Sequence, residues 1–512
     1  MSHILSNTAA RQFVCRLLVA GTAVFSSGIT FAESPEFWFE SGRQAVEQAK
    51  RLAPVQGNAR NVILFVGDGM GISTITAARI LEGQRRGESG EENSLAFERL
   101  PYLALSKTYS VNQQTSDSAP TMTAMVTGFK SNDGAISVNE RAVRNDYRTV
   151  EANKAMTIFE QAEQVGLATG VVTTARLTHA TPAACYAHSS DRDWEADSDL
   201  PADAYAAGFP DIARQLIEFP YGDGLEVALG GGRTKFLPRT EKDPEHTARS
   251  GERRDGRNLA SQWAARPGSA FIWNKAQFDA IDPRNTKHLL GLFEPSHMQY
   301  EHDRTRDRAG EPSLSEMTAK AIDLLSVQRK GYVLMVEGGR IDHAHHAGNA
   351  FRALGDAIEF SNAVRTALAK VDLRDTLVIV TADHSHTFTM AGYPARGNDI
   401  LGKTRAVEET DYSRDSHGLP YTTLGYANGN ANAGRAEKRP DLTEVNTADP
   451  EYRQEATVPL PSETHGGEDV AIFAGGPMAH LFHGVLEQHV IYHVMAEALG
   501  LDRARPRTPA KP

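Results

Sequence analysis

Residues 61–71 read Asn-Val-Ile-Leu-Phe-Val-Gly-Asp-Gly-Met-Gly. Val62 to Val66 run without a polar break, the pattern of a strand buried on both faces of a parallel sheet. The run halts at Gly67-Asp68-Gly69, so Asp68 is expected at the carboxyl end of a central strand, where open α/β sheets hold their ligand sites. A strand-to-helix turn capped by Asp68 is the plainer alternative. A dinucleotide fingerprint fits less well, because Gly67-x-Gly69-x-Gly71 lacks the required spacing. Buried-strand patterns recur at Leu167–Thr173, Glu226–Leu229, Gly331–Val336, Leu377–Val380 and Asp469–Ala474. Helical patterns fall at Ser73–Gly83, within 115–130, at Leu314–Gln328 and at Glu487–Leu499, and residues 33–60 read as an amphipathic, partly helical lead-in. Strands alternating with helices predict an α/β class with a mostly parallel sheet. The rhythm holds through an α/β core at 33–390. It breaks at 391–460, where Gly, Asn, Pro and charged residues mark an inserted subdomain, and resumes at 461–502. Residues 503–512 are expected to be a disordered tail.

Composition changes this picture little. A chain of 512 residues, 40% hydrophobic and 23% charged, suits a large globular protein. The net charge of -11 gives no support to a nucleic-acid partner. Residues 1–32 matter more. They carry no acid, have Arg11 and Arg16 as their only Lys or Arg, and pass through apolar Leu17–Val24 to Thr30-Phe31-Ala32. That is the pattern of a secretory signal peptide, so the mature chain is expected in the periplasm or outside the cell. Cleavage would remove Cys15 and leave Cys185 alone, without an internal disulfide. An exported chain of this kind must rely on a large core or on bound metals. No later stretch is long and apolar enough to span a bilayer, and no membrane anchor is expected.

Candidate chemistry gathers at the strand ends. The 331–336 strand runs into Glu337-Gly-Gly-Arg-Ile-Asp342-His343-Ala-His-His346, and the 377–380 strand into Thr-Ala-Asp383-His384-Ser-His386. His465 stands just before the 469–474 strand. Asp342 and His346 share one face if that segment is helical. Mixed His and Asp sets suit zinc, and all-oxygen sets suit magnesium. One such strand end is ordinarily a cap; four in one chain argue for a metal centre. Ser118, in Gln114-Thr-Ser-Asp117-Ser118-Ala-Pro-Thr-Met, would open a helix beginning near Ala119, whose positive end favours an alkoxide and a phosphate. Its alternative is a simple N-cap. No Gly-x-Ser-x-Gly elbow surrounds it, so metal activation suits it better than a Ser-His-Asp relay. His188, His386, His480 and His483 have no ligand spacing and read as structural, with His386 the nearest to the metal candidates.

In combination, Asn61–Leu81, Asp117–Lys130, Val171–Asp193, Gly291–Glu301, Val336–His346, Thr381–Pro394 and Pro450–His480 resemble alkaline phosphatases, and the animal branch more than the enterobacterial one. The resemblance implies a three-layer α/β/α fold with a crown-like insert, a homodimer, and hydrolysis of small-molecule phosphate monoesters. It implies Ser118 as nucleophile and Arg192, partnered by Asp117, as the phosphate clamp. It assigns Asp342, His346 and His465 to a first zinc, and Asp68, Asp383 and His384 to a second. Asp68 would bridge to a magnesium also held by Glu337 and Thr181. His179 and His343 would lie beside the metals without ligating them. A remote calcium would take Glu245, the Phe293 carbonyl, Glu294 and Glu311, the last standing where the family has Asp, after two extra residues. Ser116 and Pro120 are further departures. The rival readings are a phosphodiesterase or sulfatase-like relative, and a non-catalytic phosphate or metal binder. Ser118-Ala-Pro120-Thr-Met122 lacks the arginine of a sulfatase motif.

Overall fold

The computed structural model describes residues 34–431 and 439–501. The expected signal segment 1–32 and tail 503–512 lie outside the described residues. The first element is the helix Pro35–Lys50, whose Ser34 caps it by accepting from Phe37 N at 3.2 Å.

The rest is built on one ten-stranded sheet. Its spatial order is β15 (Val485–Glu487), β2 (Tyr102–Lys107), β14 (Val470–Gly475), β8 (Thr376–Ala382), β1 (Asn61–Gly67), β7 (Tyr332–Gly338), β3 (Ala168–Arg176), β4 (Val227–Gly231), β6 (His288–Leu292) and β5 (Ser269–Ile272). β14 runs antiparallel to both of its neighbours, and the other pairings are parallel. The unbroken apolar run of β1 has a simple cause. Ile63 and Phe65 enter one buried cluster, while Val62, Leu64 and Val66 enter the other. The same division separates Leu334 and Val336 from Val333 and Met335 on β7. Each central strand therefore feeds two cores, one per face, and cannot alternate polar with apolar. Helices Ile72–Arg85, Leu314–Leu325 and Ala350–Lys370 cover one face; Ser118–Thr127, Ile158–Val165 and Val490–Leu499 are among those covering the other. This is the α/β/α sandwich that the sequence leads one to expect.

Beyond β8 the chain forms a three-stranded sheet of β10 (Phe388–Met390), β11 (Leu424–Gly429) and β12 (Ala456–Pro459), and a short ladder between β9 (Ser385–His386) and β13 (His465–Gly466). The 21-residue helix Ala350–Lys370 has no counterpart in the pattern reading. Its buried face includes Arg352, Gly355, Asp356 and Ser361 beside small alanines, which dilute the apolar stripe. Strand β15 and its loop take the place expected for the start of the last helix, which begins at Val490. Among the described residues no helix is long and apolar enough to cross a membrane.

Candidate active site

The sheet register brings the acidic strand ends together. Gly67 pairs with Gly338 and with Ala382, so Asp68, Glu337 and Asp383 emerge side by side at the carboxyl ends of β1, β7 and β8. Asp68 does not cap a helix, since the following one starts at Ile72 with Gly71 as its cap. Gly69 has φ +68, and a Cβ there would lie 2.3 Å from His386 Nε2, so this turn needs glycine. The Gly69 N–H donates to Asp383 Oδ1 at 3.0 Å.

Three imidazoles complete the centre, and each is anchored by the nitrogen that faces away from it. His346 Nδ1 lies 2.7 Å from Glu463 O, His465 Nδ1 2.7 Å from Ser116 O, and His384 Nδ1 3.2 Å from Ser385 O. A carbonyl can only accept, so these Nδ1 atoms carry the protons and the Nε2 lone pairs point inward. His465 Nε2 sits 3.1 Å from His346 Nε2 and 3.4 Å from Asp342 Oδ1, and the His384 and His465 rings stack at 3.6 Å. Lone pairs facing at this distance repel unless a cation lies between them. The donor atoms of Asp342, His346, His386 and His465 fall within 4.8 Å of one another, as do those of Asp68, Asp342 and His384, and of Asp68, His179 and Glu337.

His386 belongs to the first set by position and not by availability. Its Nε2 bonds Asp342 Oδ1 at 2.9 Å and its Nδ1 bonds Glu463 Oε2 at 2.6 Å. Burial opposes its charge, but the two carboxylates raise its pKa to about 9, so it clamps Asp342 with both nitrogens used. Glu463 also accepts from Thr387 N at 2.7 Å. Sequence reasoning gave Glu463 no role, because its partner is remote in the chain.

The carboxylates are under electrostatic pressure. Burial, then the charge of Asp383, drives the Asp68 carboxyl well above its usual range, and both Asp68 oxygens are buried without a partner. Burial pushes Glu337 up to about 7, although the Thr173 hydroxyl donates to it. Glu337 Oε1, Asp383 Oδ2 and Thr181 Oγ1 are likewise buried and unpartnered. Orphaned acceptors of this kind are costly and find their natural relief in bound cations. The donor chemistry thus fits metals, with nitrogen and oxygen in two sets and mainly oxygen around Glu337.

Ser118 is the first residue of the helix Ser118–Thr127, and it is Asp117 that caps, accepting from Ala119 N at 2.9 Å. Ser118 is therefore not the N-cap, and its Oγ lies 3.1 Å from His384 Nε2. The same Asp117 carboxylate accepts from Arg192 Nη1 at 3.1 Å and from Gly134 N at 2.9 Å. Arg192 Nη2 meets His179 Nε2 at 3.0 Å. Desolvation, reinforced by Arg192, holds His179 neutral; desolvation with Arg340 lowers His343 to about 3. A third ring, His297, joins these two, 4.0 Å from His343, with its Nδ1 accepting from Arg176 N at 3.2 Å. The sequence reading missed it. A cleft of about 630 Å³, bordered by Thr115, Asp117, His346, Ser462 and His465, opens onto this centre.

Of the four positions assigned to a remote cation, Glu245 and Glu294 come together, and Gln299 links Glu294 to Glu311. Glu245, His246 and Glu294 offer donor atoms within 4.8 Å of one another, and the Phe293 carbonyl accepts from Arg233 Nη1 at 3.2 Å. Glu311 accepts from Gln299 N at 2.9 Å through one oxygen, and its other oxygen is buried and unpartnered. Burial, then the charge of Glu294, raises it to about 9. Asp307 is pushed to about 7 by burial and by its contact with Glu245.

Known proteins resemble this chain over most of its length. Residues 59–501 match the alkaline phosphatase family. An alkaline phosphatase of Gadus morhua is 44% identical over 479 residues, 92% of this chain and 98% of its own length. The tissue-nonspecific isozyme of Homo sapiens is 43% identical over 491 residues, 94% of this chain and 92% of its own. Among solved structures, the alkaline phosphatase of Thermus thermophilus superposes with a TM-score of 0.63 at 27% identity, covering 88% of this chain and 94% of that one. With a family match spanning most of its length and relatives of this identity over nearly all of theirs, the chain belongs to the alkaline phosphatase family of enzymes.

Proposed function

We propose that the chain hydrolyses small-molecule phosphate monoesters to alcohol and inorganic phosphate through a phosphoserine on Ser118. The observation that carries this reading is the placement of the Ser118 hydroxyl at 3.1 Å from His384 Nε2, beside two inward-facing sets of imidazoles and unpartnered carboxylates. Asp342, His346 and His465 would hold one zinc and Asp68, Asp383 and His384 a second, with Asp68, Glu337 and Thr181 around a magnesium. Such ions, when bound, lower the pKa of a nearby hydroxyl or water and neutralise charge on attacking and leaving oxygens.

The protein groups supply the rest. Ser118 Oγ attacks phosphorus, the bond to the ester oxygen breaks, and the alcohol departs with a proton. Water then attacks the phosphoserine, the serine oxygen leaves, and inorganic phosphate is released. Arg192, fixed by Asp117, presents two N–H groups to two non-bridging phosphoryl oxygens. Their geometry is set before substrate arrives, so little reorganisation is needed as charge builds. His179 and His343, kept neutral, orient Arg192 and the magnesium surroundings without adding positive charge.

Glu245, Glu294, Glu311 and the Phe293 carbonyl would hold a calcium away from this centre, and the unpartnered Glu311 oxygen supports that reading. Export to the periplasm or medium rests on residues 1–32, and a homodimer rests on the family resemblance. The decisive experiment combines metal analysis with acid quenching during turnover of a labelled phosphate monoester. Stoichiometric label on Ser118, absent from Ser118→Ala with metals retained, is the expected outcome. Label at any other residue would overturn the nucleophile, and protein that turns over monoesters without bound metal would overturn the metal reading.

A further inference from the structure

The helix Arg340–His346 presents both Asp342 and His346 to the centre, yet it has only seven residues and no side-chain cap. So short a helix has no stability of its own, and its position must come from tertiary anchors. One anchor lies on the side away from the metal candidates. His345 is 0% exposed, with Nε2 3.0 Å from Thr74 Oγ1 and Nδ1 2.8 Å from the Tyr426 hydroxyl. Each ring nitrogen thus meets one hydroxyl. Both of its polar atoms are therefore fixed, and the ring is locked in place.

The contacts of that ring make it more than a buried histidine. It lies 4.7 Å from the His386 ring, which clamps Asp342, and 5.0 Å from Phe388. Tyr426 stands on β11 and pairs in register with Phe388 on β10, two residues beyond His386. The Tyr426 side chain is itself buried, and among the described residues its hydroxyl bonds only His345. One hydroxyl thus joins a strand of the inserted subdomain to the helix bearing Asp342 and His346, and one ring supports the clamp on Asp342. A buried polar pair of this kind specifies a position, because any displacement leaves both partners unsatisfied.

We propose that Tyr426 and His345 are positioning residues through which the inserted subdomain holds the Asp342–His346 helix in metal-binding geometry. The proposal rests on the two-zinc reading, and its test separates the two. Zinc-loaded wild type, Tyr426→Phe and Tyr452→Phe are mixed with a chromophoric chelator, and the rate of zinc release is followed. Tyr452 is a control, a tyrosine on another segment whose hydroxyl is buried without a partner. Groups that orient metal ligands commonly change affinity by about 10-fold or more. Tyr426→Phe should release one of its two zinc ions about 10-fold faster than wild type. Its loss of kcat should be recovered by added zinc with KM unchanged, while the metal-free melting temperature falls only by the cost of one unmet buried hydrogen bond, about 1–3 °C. Tyr452→Phe should behave as wild type. Equal release rates in all three zinc-loaded proteins would overturn the positioning role and leave the metal reading intact. Equal acceleration by Tyr452→Phe, or a lowered metal-free melting temperature with unchanged release, would also overturn it. Wild type that binds no zinc would overturn both.

Discussion

At the amino ends of β3 and β4, opposite the metal candidates, Glu163 and Glu226 are buried together. Thr169 serves both, with its N–H donating to Glu226 at 2.7 Å and its hydroxyl to Glu163 at 2.6 Å. Asp223 is the third acid of the cluster, and His288 lies 3.6 Å from it. Burial raises Glu163 to about 8; burial, then the charge of Glu163, raises Glu226 to about 9. The unfolded chain releases these protons near the ordinary glutamate value of 4.5. Between that pH and 8 to 9 the folded state holds protons that the unfolded state has lost. Stability is therefore greatest below 4.5 as far as this pair is concerned, and falls as pH rises through the window. The slope is about 1.4 kcal/mol per pH unit for each group, so holding one proton at pH 7 costs about 3 kcal/mol. Glu226→Gln removes that cost. The Gln carbonyl can accept from Thr169 N, and its amide can donate to a Glu163 oxygen. With unfolding entropy scaling to about 1 kcal/mol per degree for a chain this long, the melting temperature should rise by about 3 °C at pH 7. The assay is thermal melting from pH 5 to 9 with metals saturating, where the difference between variant and wild type cancels the metal-linked terms. Parallel melting curves across that range, or a loss of stability at every pH, would refute the proton-linkage argument.

Further outcomes follow from the other sites. Arg192→Ala should weaken inhibition by inorganic phosphate by about 2–3 kcal/mol, roughly 30- to 150-fold, with zinc content unchanged; an unchanged inhibition constant would place Arg192 away from the phosphate. Calcium should raise the melting temperature of wild type and leave Glu245→Gln/Glu294→Gln unmoved, because three or four crowded carboxylates gain most from a cation. Equal shifts in both proteins would remove that site. His179→Asp with His343→Lys should alter the magnesium dependence of activity and retain zinc, and superimposable magnesium titrations of the two proteins would count against a role for these rings.

The central layer was readable because two-sided burial leaves an unbroken apolar run, and because Gly67-Asp68-Gly69 interrupts it so sharply. Asp68, Glu337 and Asp383 could be placed at strand ends from local pattern alone; their proximity needed only parallel strands in neighbouring positions. The helix Ala350–Lys370 was hidden by its buried Arg352 and Asp356, whose partners are distant in the chain: Arg352 meets Asp303 at 2.7 Å. Glu463 was hidden for the same reason, since it acts on His386. His297 lies in a loop without periodicity, and its company with His179 and His343 exists only after folding. The approach of Asp307 to Glu245 could not be read from the sequence, since the two lie far apart in the chain.

The candidate ligands run from Asp68, beyond the first strand of the sheet, to His465, on a ladder formed near the end of the chain. No single strand, helix or loop holds a full set: the second set is complete only with His384, and the first needs both the Asp342–His346 helix and β13. During synthesis the site cannot be assembled until almost the whole sequence has emerged and the sheet has closed around β1. Capture of the full metal complement would then be a late event that selects finished molecules, and chains stalled before β13 would lack the first set. The order of the chain thus acts as quality control: chemical competence arrives only with completed topology.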